Sequence, residues 1–136
     1  MSSFKTYVIN LKRDKKKWND LQHRLLSIGI KPIRFDAIYG KQLTNNDYVK
    51  YQTYITKYCW YFCPRTLIGC RLSHLTLYEM AHKQWQTQSF TNDKFFLVLE
   101  DDVTPVFKDK TVIEDIINRS PQDADIISLY CQGYCR

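Results

Sequence analysis

With four glycines and four prolines in 136 residues, the chain has too few of either for a collagen-like, linker-like or low-complexity protein. It contains no Gly-x-Gly-x-x-Gly, no Walker loop and no His-Glu-x-x-His. The usual grounds for a Rossmann oxidoreductase, a P-loop kinase or a zincin are therefore missing. No apolar run approaches the roughly 18–20 residues of a membrane span. The first five residues, Met1-Ser-Ser-Phe-Lys5, lack the apolar core of a secretory signal, so a cytoplasmic location is expected. Cysteine is present at five positions, an odd number that excludes complete internal pairing. Cys59/Cys63 and Cys131/Cys135 form two Cys-x3-Cys pairs. A four-thiolate zinc site is open to them, but zinc knuckles are usually tighter, and reduced thiols are the expected state.

What is present describes a folded protein. Tyr, Phe and Trp make up 15% of the chain and hydrophobic residues 44%, enough to build a core and to argue against disorder. The length suits one domain over residues 1–136. Net charge is +6, unevenly distributed: residues 1–68 hold 13 basic and 4 acidic side chains, a balance of +9, and residues 69–136 hold 7 and 10, a balance of −3. The first half is thus suited to an anionic partner.

Local patterns alternate between strand and helix. Phe4 to Leu11 is rich in β-formers and reads as a strand. Asp14 offers an N-cap to a helix whose apolar residues Trp18, Leu21, Leu25 and Ile28 share one face, and Gly29 stops it. Lys31 to Phe35 follows as a second strand ending at Asp36, giving a βαβ unit with parallel strands. Tyr51, Tyr54, Tyr58 and Tyr61 have helical spacing in an insertion closed by Pro64; a helix face packed on the domain is the expected reading, ahead of a platform for stacking bases. From Thr66 to Gln86 a longer helix is expected to bury Ile68, Leu72, Leu75, Tyr78, Ala81 and Trp85. The unbroken run Phe95-Phe-Leu-Val-Leu99 predicts a central strand covered on both faces. Val112, Ile113, Ile116 and Ile117 mark another helix, and Asp125 to Tyr130 another strand. The order is that of an alternating α/β domain.

In open α/β sheets, ligands gather beyond the carboxyl ends of the strands. Three polar clusters fall there: Asn10 to Lys17, Asp36 to Gly40, and Glu100 to Asp102. Three adjacent acids repel one another, and a bound Mg2+ or Mn2+ would relieve them; spacing alone leaves a solvated acidic turn equally open. Five cations between Lys12 and Lys17 oppose the dipole at a helix start. Phosphate held by these side chains and the free N–H groups is one reading, a solvated charged face another. Nucleic-acid binders spread Lys and Arg over a face rather than aligning acids with a strand end, so no nucleic-acid partner is expected. His74 has no partner at a spacing that suggests a triad.

Four blocks stand in order: Tyr7-Val-Ile-Asn-Leu-Lys-Arg-Asp14, Arg34-Phe-Asp-Ala-Ile-Tyr-Gly40, Ile68-Gly-Cys-Arg-Leu-Ser-His74 and Leu97-Val-Leu-Glu-Asp-Asp-Val103. Together they resemble the N-terminal, donor-binding part of glycosyltransferase family 25, which includes lipooligosaccharide and procollagen galactosyltransferases. The resemblance implies a GT-A-like, Rossmann-like, mostly parallel sheet flanked by helices, cut short at its C-terminal side. It implies transfer of a hexose, galactose or glucose, from a UDP-sugar to a glycan or hydroxylysine-type acceptor, with inversion. Glu100 and Asp102 would hold Mn2+ (or Mg2+) against the diphosphate. Asn10, Leu11 and Arg13 match the first donor-binding strand end, Asp36 and Ala37 a segment near the nucleoside, and Ser73 and His74 a pair on the helix facing the donor; Asp101 is counted with the donor-binding residues. Thr66 and Leu67 stand where the family usually carries Gly-Glu. No residue matches the catalytic base, which the family places in the stretch beyond a point corresponding to Arg136. A catalytically inactive relative that binds nucleotide sugar or another protein is the alternative. A sheet cut short would expose a strand edge, so self-association or a completing partner chain is expected.

Overall fold

The computed structural model describes residues 4–87 and 95–129. Three strands, β1 (Phe4–Asn10), β2 (Pro32–Asp36) and β3 (Phe95–Glu100), form one sheet in the order β2-β1-β3, parallel throughout. Helix α1 (Lys15–Ser27) connects β1 to β2. Two 3-10 turns (Gly40–Gln42 and Asn45–Asp47) then lead into α2 (Tyr48–Tyr51), α3 (Lys57–Phe62) and the long α4 (Arg65–Thr87), and α5 (Thr111–Arg119) follows β3. This is a Rossmann-like arrangement, a parallel sheet flanked by helices.

The pleat of β1 explains the layering. Val8 packs on Leu21, Leu25 and Ile30, so α1 covers one face. Tyr7 and Ile9 point the other way and pack on Leu77 and Ala81 of α4. Helix α1 ends as its sequence predicts. Gly29 takes φ +80°; its N–H donates to the Leu26 carbonyl and that of Ile30 to the Leu25 carbonyl, a Schellman closure that buries Ile30. Asp14 occupies the N-cap position, but its side chain makes no cap bond and lies 3.7 Å from Arg13 instead.

Several expectations are corrected. The central strand is β1, whose residues Thr6 to Asn10 are all buried. β3 pairs with β1 alone among the described residues, and its Phe96 is 41% exposed. The apolar run of β3 is instead covered by flanking loops and helices, with Leu99 against the α1 side and Val98 against the α4 side. Asp125–Leu129 joins no strand among the described residues, and Ile126 is 85% exposed, so its apolar side chains find no ladder or core to enter; Tyr130 lies outside the described residues. The tyrosine spacing does not make one helix. A turn separates α2 from α3, Thr56 caps α3 by accepting from the Cys59 N–H, and Tyr51 enters a core around Trp60, Ile68 and Leu72 while Tyr58 and Tyr61 stay exposed. Cys59 and Cys63 form a disulfide rather than free thiols; one turn of α3 sets their Cα atoms 4.8 Å apart, within bridging range. Cys131 and Cys135 lie outside the described residues.

The buried stripe of α4 runs through Ile68, Gly69, Leu72, Ser73, Leu77 and Ala81. Tyr78 and Trp85, expected inside, are 40% and 56% exposed. The stripe differs because the helix is covered by two bodies: the insertion at its first half (Ile68, Leu72) and the sheet at its second (Leu77, Ala81). Where the loop after β2 crosses α4, the backbones meet at two glycines. A Cβ on Gly69 would stand 2.5 Å from the Gly40 nitrogen, and one on Gly40 would overlap the Arg65 carbonyl. Ser73 fastens this crossing, its hydroxyl accepting from the Ile38 N–H (2.8 Å) and donating to the Gly69 carbonyl (2.7 Å). Gly69→Ala is therefore expected to destabilise the protein by about 1–3 kcal/mol, because backbone rather than a flexible side chain must move; the midpoint of a urea denaturation measures it.

Candidate active site at the carboxyl ends of the strands

All three strands point their carboxyl ends to one side, where the parallel register sets Asn10 beside Asp36 and Ile9 beside Glu100. The centre of this edge is Asn10, 1% exposed. Its side-chain amide donates to Asp101 Oδ2 at 2.7 Å and to the Asp14 carbonyl at 3.1 Å, while its Oδ1 accepts from Arg34 Nε at 2.9 Å. Arg34 also reaches the Leu11 carbonyl (3.3 Å), and the Ala37 N–H donates to the Asn10 carbonyl (3.0 Å). One buried amide thus ties together the ends of β1 and β2, the start of α1 and the turn after β3.

A second group lies on the α4 side. His74 Nε2 is 2.9 Å from Glu100 Oε1, and Cys70 Sγ is 3.8 Å from the same oxygen. His74 Nδ1 meets the Tyr78 hydroxyl at 3.1 Å. Partial desolvation, and then the Glu100 carboxylate, push both the Cys70 thiol and the Tyr78 phenol above their ordinary ranges. A third group lies between α1 and the turn after β3, where Lys17, Asp20, Leu21 and Arg24 face Asp101, Asp102, Val103 and Thr104 across a cleft of about 190 Å3. Ligand pockets usually run to roughly 300–1,000 Å3, so this cleft has room for a phosphate group rather than for a whole nucleotide sugar. Lys17 Nζ stands 3.9 Å from Asp101 Oδ1.

The ten residues singled out from sequence separate by environment. Asn10, Leu11, Ala37 and Asp101 meet in the buried network, and His74 meets Glu100. Ser73 is buried with its hydroxyl committed to Ile38 and Gly69. Asp36 pairs with Lys12 at 3.3 Å on the exposed rim, and Arg13 lies 4.2 Å from the centre of the Tyr39 ring. Asp102 is exposed and makes no hydrogen bond or ion pair among the described residues. Sequence reasoning gave no site role to Arg34 or Cys70 and counted Tyr78 with the buried face of the helix. Arg34 stands two residues from the end of β2, on the same face of the strand as Asp36. Cys70, His74 and Tyr78 follow one another at intervals of four, one face of a helix.

The sequence model of glycosyltransferase family 25 (LPS biosynthesis protein) matches residues 3–134. The chain belongs to glycosyltransferase family 25. No curated protein and no solved structure matches it. Membership in family 25 implies glycosyl transfer from a nucleotide-sugar donor to an acceptor. No described helix is long and apolar enough to cross a membrane.

Because the buried Asn10 amide bonds Arg34, Asp101 and the Asp14 carbonyl, Asn10→Ala is expected to cost about 1–3 kcal/mol of stability by taking one partner from each. Lys12→Ala, at an exposed pair, is expected to cost less than about 1 kcal/mol. Chemical denaturation of the two variants beside the parent chain checks the contrast.

Proposed function

We propose that this chain is the donor-binding unit of a GT-A-type enzyme that transfers a hexose, galactose or glucose, from a UDP-sugar to a glycan or hydroxylysine-type acceptor with inversion at the anomeric carbon. The observation that carries this reading is the pairing of cations and an uncommitted carboxylate at one cleft: Lys17 and Arg24 line the same opening as Asp102. The cations suit the diphosphate of the donor, and the cleft has room for a phosphate group. Asn10 and Arg34, locked by their mutual bonds, hold the floor of the strand ends rigid beneath the ligand. Arg13 and Tyr39 stack at the rim, next to Asp36 and Ala37, where the nucleoside would lie.

The residues present fit a divalent cation of the Mn2+ type. Carboxylate oxygens are the hard donors such an ion takes. Among the described residues Asp102 is exposed and unbonded, and both contacts to the Glu100 carboxylate fall on Oε1, leaving its Oε2 open. Bound there, the ion would neutralise charge on the departing nucleotide diphosphate. Asp102 and Glu100 hold the ion in this reading, Lys17 and Arg24 orient the phosphates, and the buried Asn10 network excludes water from below.

Asp102→Asn is expected to abolish Mn2+-supported binding of a UDP-hexose, measured by calorimetry with Mn2+ and again with chelator. Unchanged donor affinity in the variant would sink the proposed role of Asp102. Donor binding with no sugar transfer to any glycan or hydroxylysine acceptor would establish instead a non-catalytic nucleotide-sugar-binding relative.

A further inference from the structure

We propose that Cys70, His74 and Glu100 form a second metal site, adjoining the carboxylate site at Asp102 and sharing Glu100 with it, selective for a borderline divalent cation of the zinc class. Among the described residues these three bring one ligand atom each, Sγ, an imidazole nitrogen and a carboxylate oxygen, to within 4.8 Å of one another. A four-coordinate zinc ion has bonds of about 2.3 Å to sulfur and about 2.0–2.1 Å to nitrogen and oxygen, so its ligand atoms stand about 3.3–3.6 Å apart. The separations found, 2.9 Å from His74 Nε2 to Glu100 Oε1 and 3.8 Å from Cys70 Sγ to the same oxygen, bracket that spacing.

The local structure supports the same reading. Cys70 and His74 are one helical turn apart on α4 and share a face, while Glu100 ends β3 across from them. The helix supplies two ligands from rigid backbone and the strand end supplies the third. Tyr78, a further turn along, has its hydroxyl 3.1 Å from His74 Nδ1. A metal on Nε2 would replace the hydrogen bond between His74 and Glu100, and the Tyr78 hydroxyl stands where it can accept the proton that Nδ1 would then carry, the kind of contact that orients a metal-binding histidine. Cys70 and Glu100 are exposed and His74 partly so, which gives an ion a path in and leaves a fourth position for water. Thiolate and imidazole favour zinc over the hard ions suited to Asp102. Binding releases the Cys70 thiol proton to solvent, and no oxidant or reductant takes part.

Cobalt(II) titration of the full chain tests the site, since cobalt reports a thiolate ligand through a near-ultraviolet charge-transfer band and four-coordination through visible d–d bands. Wild type is expected to show both and to lose them to added zinc. Cys70→Ser is expected to lose the charge-transfer band and to bind cobalt at least about tenfold more weakly, with far-ultraviolet circular dichroism unchanged because the side chain is exposed. His74→Gln is expected to lose the d–d bands likewise. The other cysteines remain in both variants, so a charge-transfer band that persists in Cys70→Ser, or a wild-type chain without one, overturns the site. Asp102→Asn is expected to keep the cobalt bands while losing Mn2+-supported donor binding, which separates failure of this site from failure of the donor reading.

Discussion

The buried side chain of Asn10 is the constraint on which the strand-end architecture depends. An amide carries donors on one atom and an acceptor on the other, and all are used: Asp101 and the Asp14 carbonyl on the nitrogen, Arg34 on the oxygen. Each partner comes from a different element, so a single residue sets how the ends of β1 and β2, the start of α1 and the turn after β3 stand relative to one another. A buried network of this kind specifies one geometry because an unpaired member is costly. It also neutralises locally: Lys17 stands 3.9 Å from Asp101, and Arg34 spends its guanidinium on the Asn10 amide oxygen and the Leu11 carbonyl.

Helix α4 is the second positioning device, and it works through absence of bulk. Two glycines let the loop after β2 lie directly on the helix backbone, and the Ser73 hydroxyl completes the crossing. That contact sets the rotation of α4 about its axis. With Gly69 and Ser73 turned inward, Cys70 and His74 turn toward the end of β3, where Glu100 meets them. A serine with a structural task thus orients the histidine next to it toward Glu100. The motif Ile68-Gly-Cys-Arg-Leu-Ser-His74 reads as two interleaved faces of one helix, one packed inward and one turned to the end of β3.

The βαβ unit was legible almost residue by residue, because Trp18, Leu21, Leu25 and Gly29 are local signals that tertiary packing reinforces. The position of the acids at a strand end was legible for the same reason. Less was visible where burial depends on partners far away in the chain. Phe95–Leu99 looked like a central strand since apolarity reports burial but not how many neighbours a strand has; β1, with Thr6 and Asn10 in it, takes the centre. Tyr78 and Trp85 fit the helical period of α4 yet face outward, because the stripe is set by the glycine crossing and the insertion, which periodicity does not register. The Cys59–Cys63 bridge was missed for a different reason: an odd cysteine count and loose zinc spacing pointed to reduced thiols, but one helical turn brings the two within disulfide reach. Arg34 and Cys70 had been in view inside the motif blocks without a task, which only their contacts to Asn10 and Glu100 supply.

The run Glu100-Asp101-Asp102 shows how one strand end can serve three purposes. Consecutive residues leaving a strand point in different directions, and here each acid meets a different environment. Glu100 turns to His74 and Cys70 on α4, Asp101 turns inward to Asn10 and Lys17, and Asp102 faces solvent at the cleft that Lys17 and Arg24 line. Mutual repulsion, the reason to expect a cation from sequence, is thereby partly relieved within the protein itself. Among the described residues, what remains unmet is concentrated on Asp102 and on Oε2 of Glu100. The basic excess of the first half follows the same division: Lys17 answers Asp101 and Arg34 answers the Asn10 amide oxygen and the Leu11 carbonyl, whereas Arg24 lines the cleft with no ion pair among the described residues.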